Sequence, residues 1–243
     1  MINRKRLDVV ITKLRPSISR TRAAEIIRSG AVTVDGVIAK KPSLLVVADA
    51  QIELSDCETK YVSRAGFKLE FALDYFDIDV ENLVVLDGGL STGGFADCLL
   101  LRGAKKVVGV DVGHDQIHPK LKNDPRLVVM DGVDLRDLKP LAEPVDIITL
   151  DVSFISVLKV IKNVIVNLKP HGKLIVLIKP QFEVGRENIA KGGIVTDEEA
   201  RMFAIDRIVK TIESLKFSCV GVQAVPAVGE GRRNIEYIGA FSR

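Results

Sequence analysis

The stretch LVVLDGGLSTGGF, residues 83–95, decides the fold because an apolar run leads directly into a cluster of glycines. A short apolar run that ends in glycine is typical of a buried parallel strand, and the segment up to Arg102 follows with a helical pattern. Glycines at such a strand-to-helix turn let backbone amides approach a ligand at the carboxyl edge of the sheet. The stretch therefore predicts the first strand and the ligand-binding turn of an α/β domain.

Similar apolar runs recur along the chain and alternate with helical stretches. They cover residues 106–110, 127–129, 146–150 and 174–178. A last helix is expected to begin at the capping sequence Thr196-Asp197-Glu198-Glu199. Two final strands, over residues 217–225 and 234–241, are joined by a loop rather than a helix, which predicts an antiparallel pair at the sheet edge. The pattern as a whole predicts a doubly wound α/β domain.

The N-terminal region has a different organisation. Its apolar residues first show helical spacing, at Leu7, Val10, Ile11 and Leu14. A second helix is expected after Ser19, with Gly30 at its C-terminal cap, followed by a hairpin that turns at Asp35-Gly36. The polar segment 55–60 lacks periodicity, so the division we predict is a small α+β domain over residues 1–58, a linker over 59–63 and a second domain over 64–243.

Charge is unevenly distributed along the 243 residues. Residues 1–48 contain ten Lys or Arg and three acidic residues, a net charge of +7, whereas the remainder sums to −4. A basic block on a mildly acidic protein is typical of a module that binds a polyanion. Aromatic residues make up 5% of the chain and Trp is absent, so charge and shape are expected to dominate recognition of a nucleic acid.

Several classes of protein are disfavoured by what the sequence lacks. Cys57, Cys98 and Cys219 have no paired spacing, so neither a disulfide framework nor a zinc site is expected. His114 and His118 adjoin a proline and have no nearby acidic triad, and no metal is predicted. No signal peptide and no run of about 18 apolar residues is present, which favours a cytoplasmic protein without a membrane contact.

The turns that follow the strands suggest a cofactor site. Asp111 ends the second strand about twenty residues after the glycine cluster, where a carboxylate can accept hydrogen bonds from a ribose diol. Asp131 ends the third strand and is a candidate for an adenine amino group, whereas Asp134 and Asp137 are interpreted as solvated loop charges. The glycine cluster and Asp111 alone leave NAD and S-adenosylmethionine both open, but the dinucleotide fingerprint does not fit residues 88–94, which disfavours a site that cradles phosphates.

Four charged residues form a candidate catalytic set. Asp151 and Lys179 close two apolar strands, so both are expected at the carboxyl edge where open α/β sheets hold their ligands. Glu236 interrupts an apolar edge strand over residues 235–241, and Lys68 lies on a helix over 65–75. Each of these residues taken singly also has a structural explanation, most of all Lys68, because exposed lysines on helices are common.

The second domain resembles the FtsJ-type methyltransferases, and the chain as a whole resembles the TlyA family of bacterial rRNA 2′-O-methyltransferases, long labelled haemolysins. The matching segments are YVSRAGFKLE (61–70), DGGLSTGGF (87–95), DVSFIS (151–156), IKPQFE (178–183) and NIEY (234–237). The resemblance implies a Rossmann-like domain that binds S-adenosyl-L-methionine, with a catalytic tetrad of Lys68, Asp151, Lys179 and Glu236. The implied cofactor residues are Asp87, Gly89, Ser91, Gly93, Gly94, Phe95, Asp111, Asp131 and Asp151.

The first domain is similar to the small RNA-binding domain named after the fourth protein of the small ribosomal subunit. The likeness rests on RLD at residues 6–8, SRTRAA at 19–24, and Gly30 with VDG at 34–36. It implies a surface that faces RNA phosphates. The candidate contacts are Arg4, Lys5, Arg6, Arg20, Arg22, Arg28, Lys40 and Lys41.

The resemblance implies ribose 2′-O-methylation of ribosomal RNA, with rRNA or a ribosomal subunit as the partner. A catalytically silent ribosome-binding factor is the main alternative, and a cytolysin is disfavoured because no membrane-inserting stretch is present. The chain departs from the family pattern at Gly88, Leu90 and Asp134, where an apolar residue, a small residue and an asparagine are usual. Leu90 is therefore expected to crowd the methionine part of the cofactor.

Overall fold

The computed structural model describes residues 4–16, 19–28, 30–54, 60–226 and 233–243, without the side chains of Arg22 and Glu25. These residues belong to two compact units, one before and one after the segment 55–59. The predicted boundary at that segment, with Cys57, lies outside the described residues. The same holds for most of the loop that precedes the final strand.

The first unit contains two helices and two small sheets. Its elements are β1 (Lys5–Arg6), α1 (Leu7–Leu14), α2 (Arg20–Arg28), β2 (Val32–Val34), β3 (Val37–Ile38), β4 (Leu45–Val46) and β5 (Ile52–Leu54). Strand β2 pairs antiparallel with both β3 and β5, and β1 pairs antiparallel with β4. The predicted hairpin is present, and its turn residues Asp35 and Gly36 have φ values of 50° and 78°, as a two-residue hairpin turn requires.

A small apolar core holds this unit together. The buried faces of the two helices, with Leu7 and Ile11 on α1 and Ala23 and Ile27 on α2, pack with Val32 of β2. These positions follow the predicted spacing, although Leu14 at the end of α1 is exposed. The helical periodicity of the sequence thus places one apolar face of each helix against the hairpin.

The second unit is a seven-stranded sheet with helices. Its strands are β6 (Val84–Gly88), β7 (Lys106–Asp111), β8 (Leu127–Asp131), β9 (Val145–Leu150), β10 (Leu168–Ile178), β11 (Ser218–Ala224) and β12 (Tyr237–Ser242). Its α-helices are α3 (Ala65–Tyr75), α4 (Gly94–Leu101), α5 (Ile161–Val164), α6 (Pro180–Glu183) and α7 (Glu198–Ser214). Short 3₁₀ helices cover Val157–Lys159, Ile165–Asn167 and Arg186–Asn188.

The strand order is β11-β12-β10-β9-β6-β7-β8. Neighbouring strands from β10 to β8 are parallel, which confirms the predicted doubly wound sheet. The chain proceeds from β6 to β7 and β8 on one side and then returns to β9 on the other side. The carboxyl ends of β6 and β9 therefore form the topological switch point at which open α/β sheets bind ligands.

Alternate side chains of the central strands enter two apolar cores, one on each face of the sheet. On β6, Val85 and Leu86 point to opposite cores, and on β9 the same holds for Ile147 and Ile148. This two-sided burial explains why the parallel strands appear in the sequence as continuous apolar runs. Among the described residues, no helix combines the length and the apolar character needed to cross a membrane.

Two details of the prediction are wrong at the end of the chain. Helix α7 is capped by Asp197 rather than Thr196, because the Asp197 carboxylate accepts hydrogen bonds from the backbone amides of Glu199 and Ala200. The final two strands do pair antiparallel at one side of the sheet, but β12 lies between β10 and β11 and begins at Tyr237. Glu236 therefore precedes this strand and does not interrupt an edge strand.

Candidate active site

A cavity of about 540 Å³ opens at the carboxyl edge of the sheet. Its wall is built from the segments that directly follow β6, β7, β8 and β9. The lining residues are Gly89, Ser91, Val110, Asp111, Val112, Gly113, Gln116, Val133, Asp134, Leu135, Arg136, Asp151, Val152, Ser153, Phe154, Ile155 and Val160. This volume and position are those expected of a small-molecule site.

Asp111 ties together two turns of the cavity wall. One carboxylate oxygen accepts a hydrogen bond from the Ser91 amide at 2.8 Å, and the other accepts one from the Gly113 amide at 2.7 Å. Val112, next in the chain, is 67% exposed and presents an apolar surface beside this carboxylate. The predicted cofactor residues Gly89, Ser91, Asp111 and Asp151 all line the cavity.

The remaining predicted cofactor residues do not line the cavity. Asp87 is fully buried, accepts a hydrogen bond from the Thr149 hydroxyl at 2.8 Å, and has its pKa raised to about 7 by burial. Gly93, Gly94 and Phe95 lie at the start of α4, where a Cβ on Gly93 would overlap the side chains of neighbouring residues. These four residues shape the turn from within the protein.

Asp131 is exposed at the end of β8 and also lies outside the lining. Its carboxylate accepts a hydrogen bond from the Asp115 amide at 3.0 Å. It thus holds the loop after β7, whose residues 111–113 and 116 line the cavity.

The expectation that Leu90 crowds the cofactor is wrong. Leu90 is 3% exposed, and its side chain packs against Gly109 of β7, where a Cβ would lie 2.6 Å from the leucine methyl groups. Gly88 in turn makes room for Leu150, whose methyl group would lie 2.7 Å from an added Cβ. The two departures from the family pattern are therefore accommodated within the core, because each large side chain packs against a glycine.

Asp134 is a lining residue that the sequence prediction missed. It was interpreted as a solvated loop charge, but it faces the cavity and forms a forked ion pair with Arg136, with a shortest distance of 2.5 Å. The Arg136 hydrogen bonds lower the pKa of Asp134 to about 2. Its position just after β8 was the available signal, because segments that follow parallel strands reach this edge.

Lys179 and Asp151 form an ion pair at this edge. The Lys179 Nζ atom lies 2.5 Å from Asp151 Oδ1 and donates a hydrogen bond to Ser153 Oγ at 2.7 Å. The side chains of Lys179 and Asp151 are 11% and 15% exposed, so water screens their attraction only in part. Asp151 and Lys179, which were predicted to lie at the ends of two parallel strands, are therefore in contact.

Lys68 and Glu236 form a second ion pair, between α3 and the residue that precedes β12. Both side chains are about four-fifths buried. Because β12 runs antiparallel to β10 with Tyr237 opposite Ile178, its start lies beside the carboxyl end of β10. The structure therefore brings Glu236 to the same sheet edge as Lys179.

Phe154 lies at the rim of the cavity and is 92% exposed. Its φ of 65° is unusual for a bulky residue, and its ring centre lies 5.3 Å from that of Phe182. The sequence motif contained Phe154, but nothing in its pattern indicated that the ring would be exposed beside the site.

The predicted RNA-binding residues fall into two groups. Arg6 and Arg20 both bind the buried carboxylate of Asp8: Arg6 donates two hydrogen bonds at 3.0 and 2.8 Å, and Arg20 donates one at 3.2 Å. The hydrogen bonds from Arg6, and next those from Arg20, lower the pKa of Asp8 to about 2. The second group is exposed and comprises Arg4, Lys5, Arg28, Lys40 and Lys41. The Arg22 side chain lies outside the described residues.

The histidines and cysteines have other surroundings. His114 packs against Gly132, and the His118 ring accepts a hydrogen bond from the Lys120 amide at 3.2 Å. Cys98 and Cys219 are free thiols. Within the part of the chain that the structure describes, no three His, Cys, Asp or Glu side chains are grouped so that they could hold a metal ion.

The lining of the cavity indicates the chemistry of its ligand. The lining contains three carboxylates, those of Asp111, Asp134 and Asp151, and Arg136 is the lone basic residue among the described lining residues. Ser91, Gln116 and Ser153 add polar groups, and most of the remaining wall is apolar. Such a site suits a ligand with a positive charge, hydroxyl donors and a flat apolar ring. S-adenosylmethionine has all three, in its sulfonium, its ribose diol and its adenine.

Comparison with family models divides the chain between residues 52 and 61, in the region that separates the two structural units. Residues 61–243 match the FtsJ-like methyltransferase family, and residues 5–52 match the S4 domain. A Mycobacterium tuberculosis protein named 16S/23S rRNA (cytidine-2′-O)-methyltransferase TlyA is 38% identical over 98% of this chain and 89% of its own length. Hemolysin A of Brachyspira hyodysenteriae is 39% identical over 97% of this chain and 99% of its own length.

Solved structures show the same fold. A candidate hemolysin from Streptococcus thermophilus is 32% identical and superposes with a TM-score of 0.77 over all of this chain and 90% of its own. A candidate S-adenosylmethionine-dependent methyltransferase from Listeria monocytogenes, 18% identical, shares the fold with a TM-score of 0.57 over 74% of this chain and 99% of its own. The chain belongs to the TlyA family of FtsJ-like methyltransferases and is an S-adenosylmethionine-dependent enzyme.

Proposed function

We propose that this enzyme transfers a methyl group from S-adenosylmethionine to the 2′-hydroxyl of a ribose in ribosomal RNA, and that it does so in the cytoplasm. The observation that carries the proposal is the pair of lysine–carboxylate contacts at the carboxyl edge of the sheet, Lys179 with Asp151 and Lys68 with Glu236. Two partly buried ion pairs at this sheet edge, one of which includes the lining residue Asp151, are more than the fold requires, because burying charge is costly. Their side chains can orient a hydroxyl group and accept its proton.

The cofactor would be held by the residues that line the cavity. Asp111 would accept hydrogen bonds from the ribose diol, Asp134 would accept one from the adenine amino group, and Gly89 and Ser91 would border the methionine part. When bound, S-adenosylmethionine supplies an electrophilic methyl group on a sulfonium. The carboxylates that face the cavity favour that positive charge.

Lys179 would orient the attacking hydroxyl. An ammonium has three N–H groups, of which Lys179 donates one to Ser153 while it forms an ion pair with Asp151, so another can point to the ribose oxygen. As the oxygen attacks, its proton would pass to a carboxylate oxygen, that of Asp151 or that of Glu236, while Lys179 stays protonated and orients the oxygen. Lys68, held by Glu236, would position the ribose. Fixed orientation of this kind supplies a large part of an enzymatic rate.

RNA would be delivered by the first domain, which we place at residues 1–58, with a linker at 59–63 and the methyltransferase domain at 64–243. Arg28 and Lys41 are exposed cations suited to phosphates, and Arg20 uses only its Nε atom on Asp8, so its outer nitrogens stay available. The name of the mycobacterial relative specifies cytidine in 16S and 23S rRNA, and we extend both preferences to this chain.

The test is incubation of the enzyme and tritiated S-adenosylmethionine with 30S subunits, 50S subunits and protein-free rRNA, followed by nucleotide mapping. Label on the ribose of a cytidine in rRNA is expected, and it should be absent with the Lys179→Ala variant. Label on a base, or subunit binding without any label, would contradict the proposal. The second of these results would favour a silent ribosome-binding factor.

A further inference from the structure

Glu183 is a buried acid whose position invites a functional explanation. It is 6% exposed, at the last residue of α6, four positions after Lys179. Burial raises the pKa of Glu183 even though its carboxyl accepts two hydrogen bonds. A buried carboxyl is expensive to maintain, so its partners show what it does.

Both oxygens of Glu183 bind the segment that follows β9. One accepts a hydrogen bond from the Ser156 hydroxyl at 2.6 Å, and the other accepts one from the Val157 amide at 2.8 Å. Ser156 Oγ in turn accepts a hydrogen bond from the Leu158 amide at 3.2 Å, as the cap of a 3₁₀ helix. Glu183 thereby fastens the far end of the segment that begins with Asp151.

Arg207 of α7 also contacts Glu183. Its guanidinium donates a hydrogen bond to the Glu183 carbonyl at 2.5 Å and lies 3.9 Å from the carboxylate. The backbone of Glu183 is therefore anchored to a long helix. A movement of the segment 151–157 would have to break contacts with a fixed support.

Three contacts then join the segment that follows β9 to the segment that follows β10, which consists of Lys179 and α6. The first is Asp151 and Ser153 with Lys179, the second is Phe154 with Phe182, and the third is Ser156 and Val157 with Glu183. Of the three, the Glu183 contact is the most deeply buried, and none of its three residues lines the cavity. It is suited to set the spacing of the two segments while the others meet the ligands.

We propose that Glu183 is a positioning residue of the methyl-transfer site, which holds Asp151, Ser153 and Phe154 at the spacing that Lys179 and the cofactor require. The inference rests on the proposed function for its effect on turnover. Its effect on the cofactor does not depend on the RNA substrate, because Asp151, Ser153 and Phe154 line the cavity.

The experiment compares Glu183→Ala, Glu183→Gln and a matched control, Asn167→Ala. A glutamine keeps both contacts without the charge, since its oxygen can accept from Val157 and its amide can donate to Ser156. Asn167 is likewise buried and likewise holds a backbone amide, that of Leu141 at 2.6 Å, but it directly precedes β10, at the end opposite to Lys179. It therefore controls for a general loss of stability.

Calorimetry with S-adenosylmethionine and turnover on rRNA at saturating cofactor are the two measurements, with Tm recorded for each variant. For Glu183→Ala we expect the cofactor Kd to rise about five-fold and kcat to fall about ten-fold or more, since small displacements of reacting groups are costly. Glu183→Gln should remain within about two-fold of the wild type in both. Asn167→Ala should lose a similar amount of Tm but keep both values.

An unchanged Kd and kcat in Glu183→Ala would overturn the inference, as would equal losses in Asn167→Ala. If Glu183→Ala does not fold, Ser156→Ala removes one of the two contacts and should raise the Kd about two- to three-fold; no rise would overturn the inference. A wild type that binds cofactor but labels no rRNA would refute the proposed function alone. The cofactor affinities of the variants would then still decide the role of Glu183.

Discussion

The Nζ atom of Lys179 lies 2.5 Å from the Oδ1 atom of Asp151, across two adjacent parallel strands of the sheet. Ser153 accepts a hydrogen bond from the same ammonium. Two neighbours therefore fix the lysine in position, and neither of them is the substrate. The arrangement separates the task of holding Lys179 from the task of binding RNA.

Lys179→Ala should lower methyl transfer by at least about 100-fold, because the group that orients the hydroxyl is lost. RNA binding should stay within about two-fold of the wild type, since the RNA contacts are proposed on the other unit. Tritium incorporation and filter binding measure the two effects. Lys210→Ala, which removes an exposed lysine paired with Asp206 on α7, is the control and should leave both unchanged. Turnover near the wild-type rate in Lys179→Ala would refute its role.

Lys68 and Glu236 should behave as a coupled pair in a double-mutant cycle. Lys68→Met and Glu236→Gln each leave a partly buried charge without its partner, so each should lower the free energy of unfolding by about 1–2 kcal/mol. The double variant should be more stable than the sum predicts by about 1 kcal/mol, yet all three should lose methyl transfer. Denaturant unfolding and tritium incorporation provide the data.

The control for this cycle is Lys169→Met, which removes an ion pair with Asp146 at the opposite edge of the sheet. It should retain activity within about two-fold. Strict additivity in the cycle, or normal activity in the double variant, would show that the Lys68–Glu236 contact is incidental.

Asp8→Asn should destabilise the first unit in a pH-dependent way. The pKa of Asp8 is lowered from 3.8 to about 2 in the folded protein, so its carboxylate contributes stability above its ordinary pKa. This contribution is lost as the pH falls through about 2. At pH 7 we expect a loss of about 1 kcal/mol, since both arginine partners are partly exposed to water.

Denaturant unfolding of the two proteins at pH 7 and at pH 3 measures this difference, which should shrink at the lower pH. Asp49→Asn, at an exposed position of the same unit, should show no comparable effect at either pH. A stability difference that grows as the pH falls would contradict the assigned role of Asp8.

Leu90→Ala should weaken the fold without strengthening cofactor binding. Leu90 fills the space beside Gly109 in the core, so truncation leaves a cavity and should cost about 2–5 kcal/mol in the free energy of unfolding. Val107→Ala, a smaller truncation in the same buried core, should cost less and give a reference for stability. A gain in S-adenosylmethionine affinity for Leu90→Ala, measured by calorimetry, would revive the idea that this leucine crowds the cofactor.

Residues that end parallel strands could be predicted from the sequence. Asp111, Asp151 and Lys179 each follow a continuous apolar run, and parallel strands carry their carboxyl ends to one edge. The same reasoning places Asp134 near that edge, whereas the interpretation as a solvated loop charge gave this residue no part in the site. Glu236 needed the family motif, since its location depends on a strand that runs in the opposite direction.

Contacts between separate elements could not be predicted from the sequence patterns. The shared carboxylate of Asp8 depends on how α2 packs against α1, which no spacing reveals. The orientation of Leu90 depends on the positive φ of Gly89 and on the space that Gly109 leaves in a neighbouring strand. Glu183 was part of a quoted motif, but its burial against Ser156 and Val157 appears only in three dimensions.

The place of β12 between β10 and β11 has a consequence for the order of assembly. During synthesis β11 leaves the ribosome before β12, but β11 pairs only with β12 in this sheet and so must wait for it. Until β12 inserts, the edge of β10 that faces away from β9 has no partner strand and Glu236, which directly precedes β12, is not in place. We therefore expect the sheet and the candidate active site to be completed in the same step of folding.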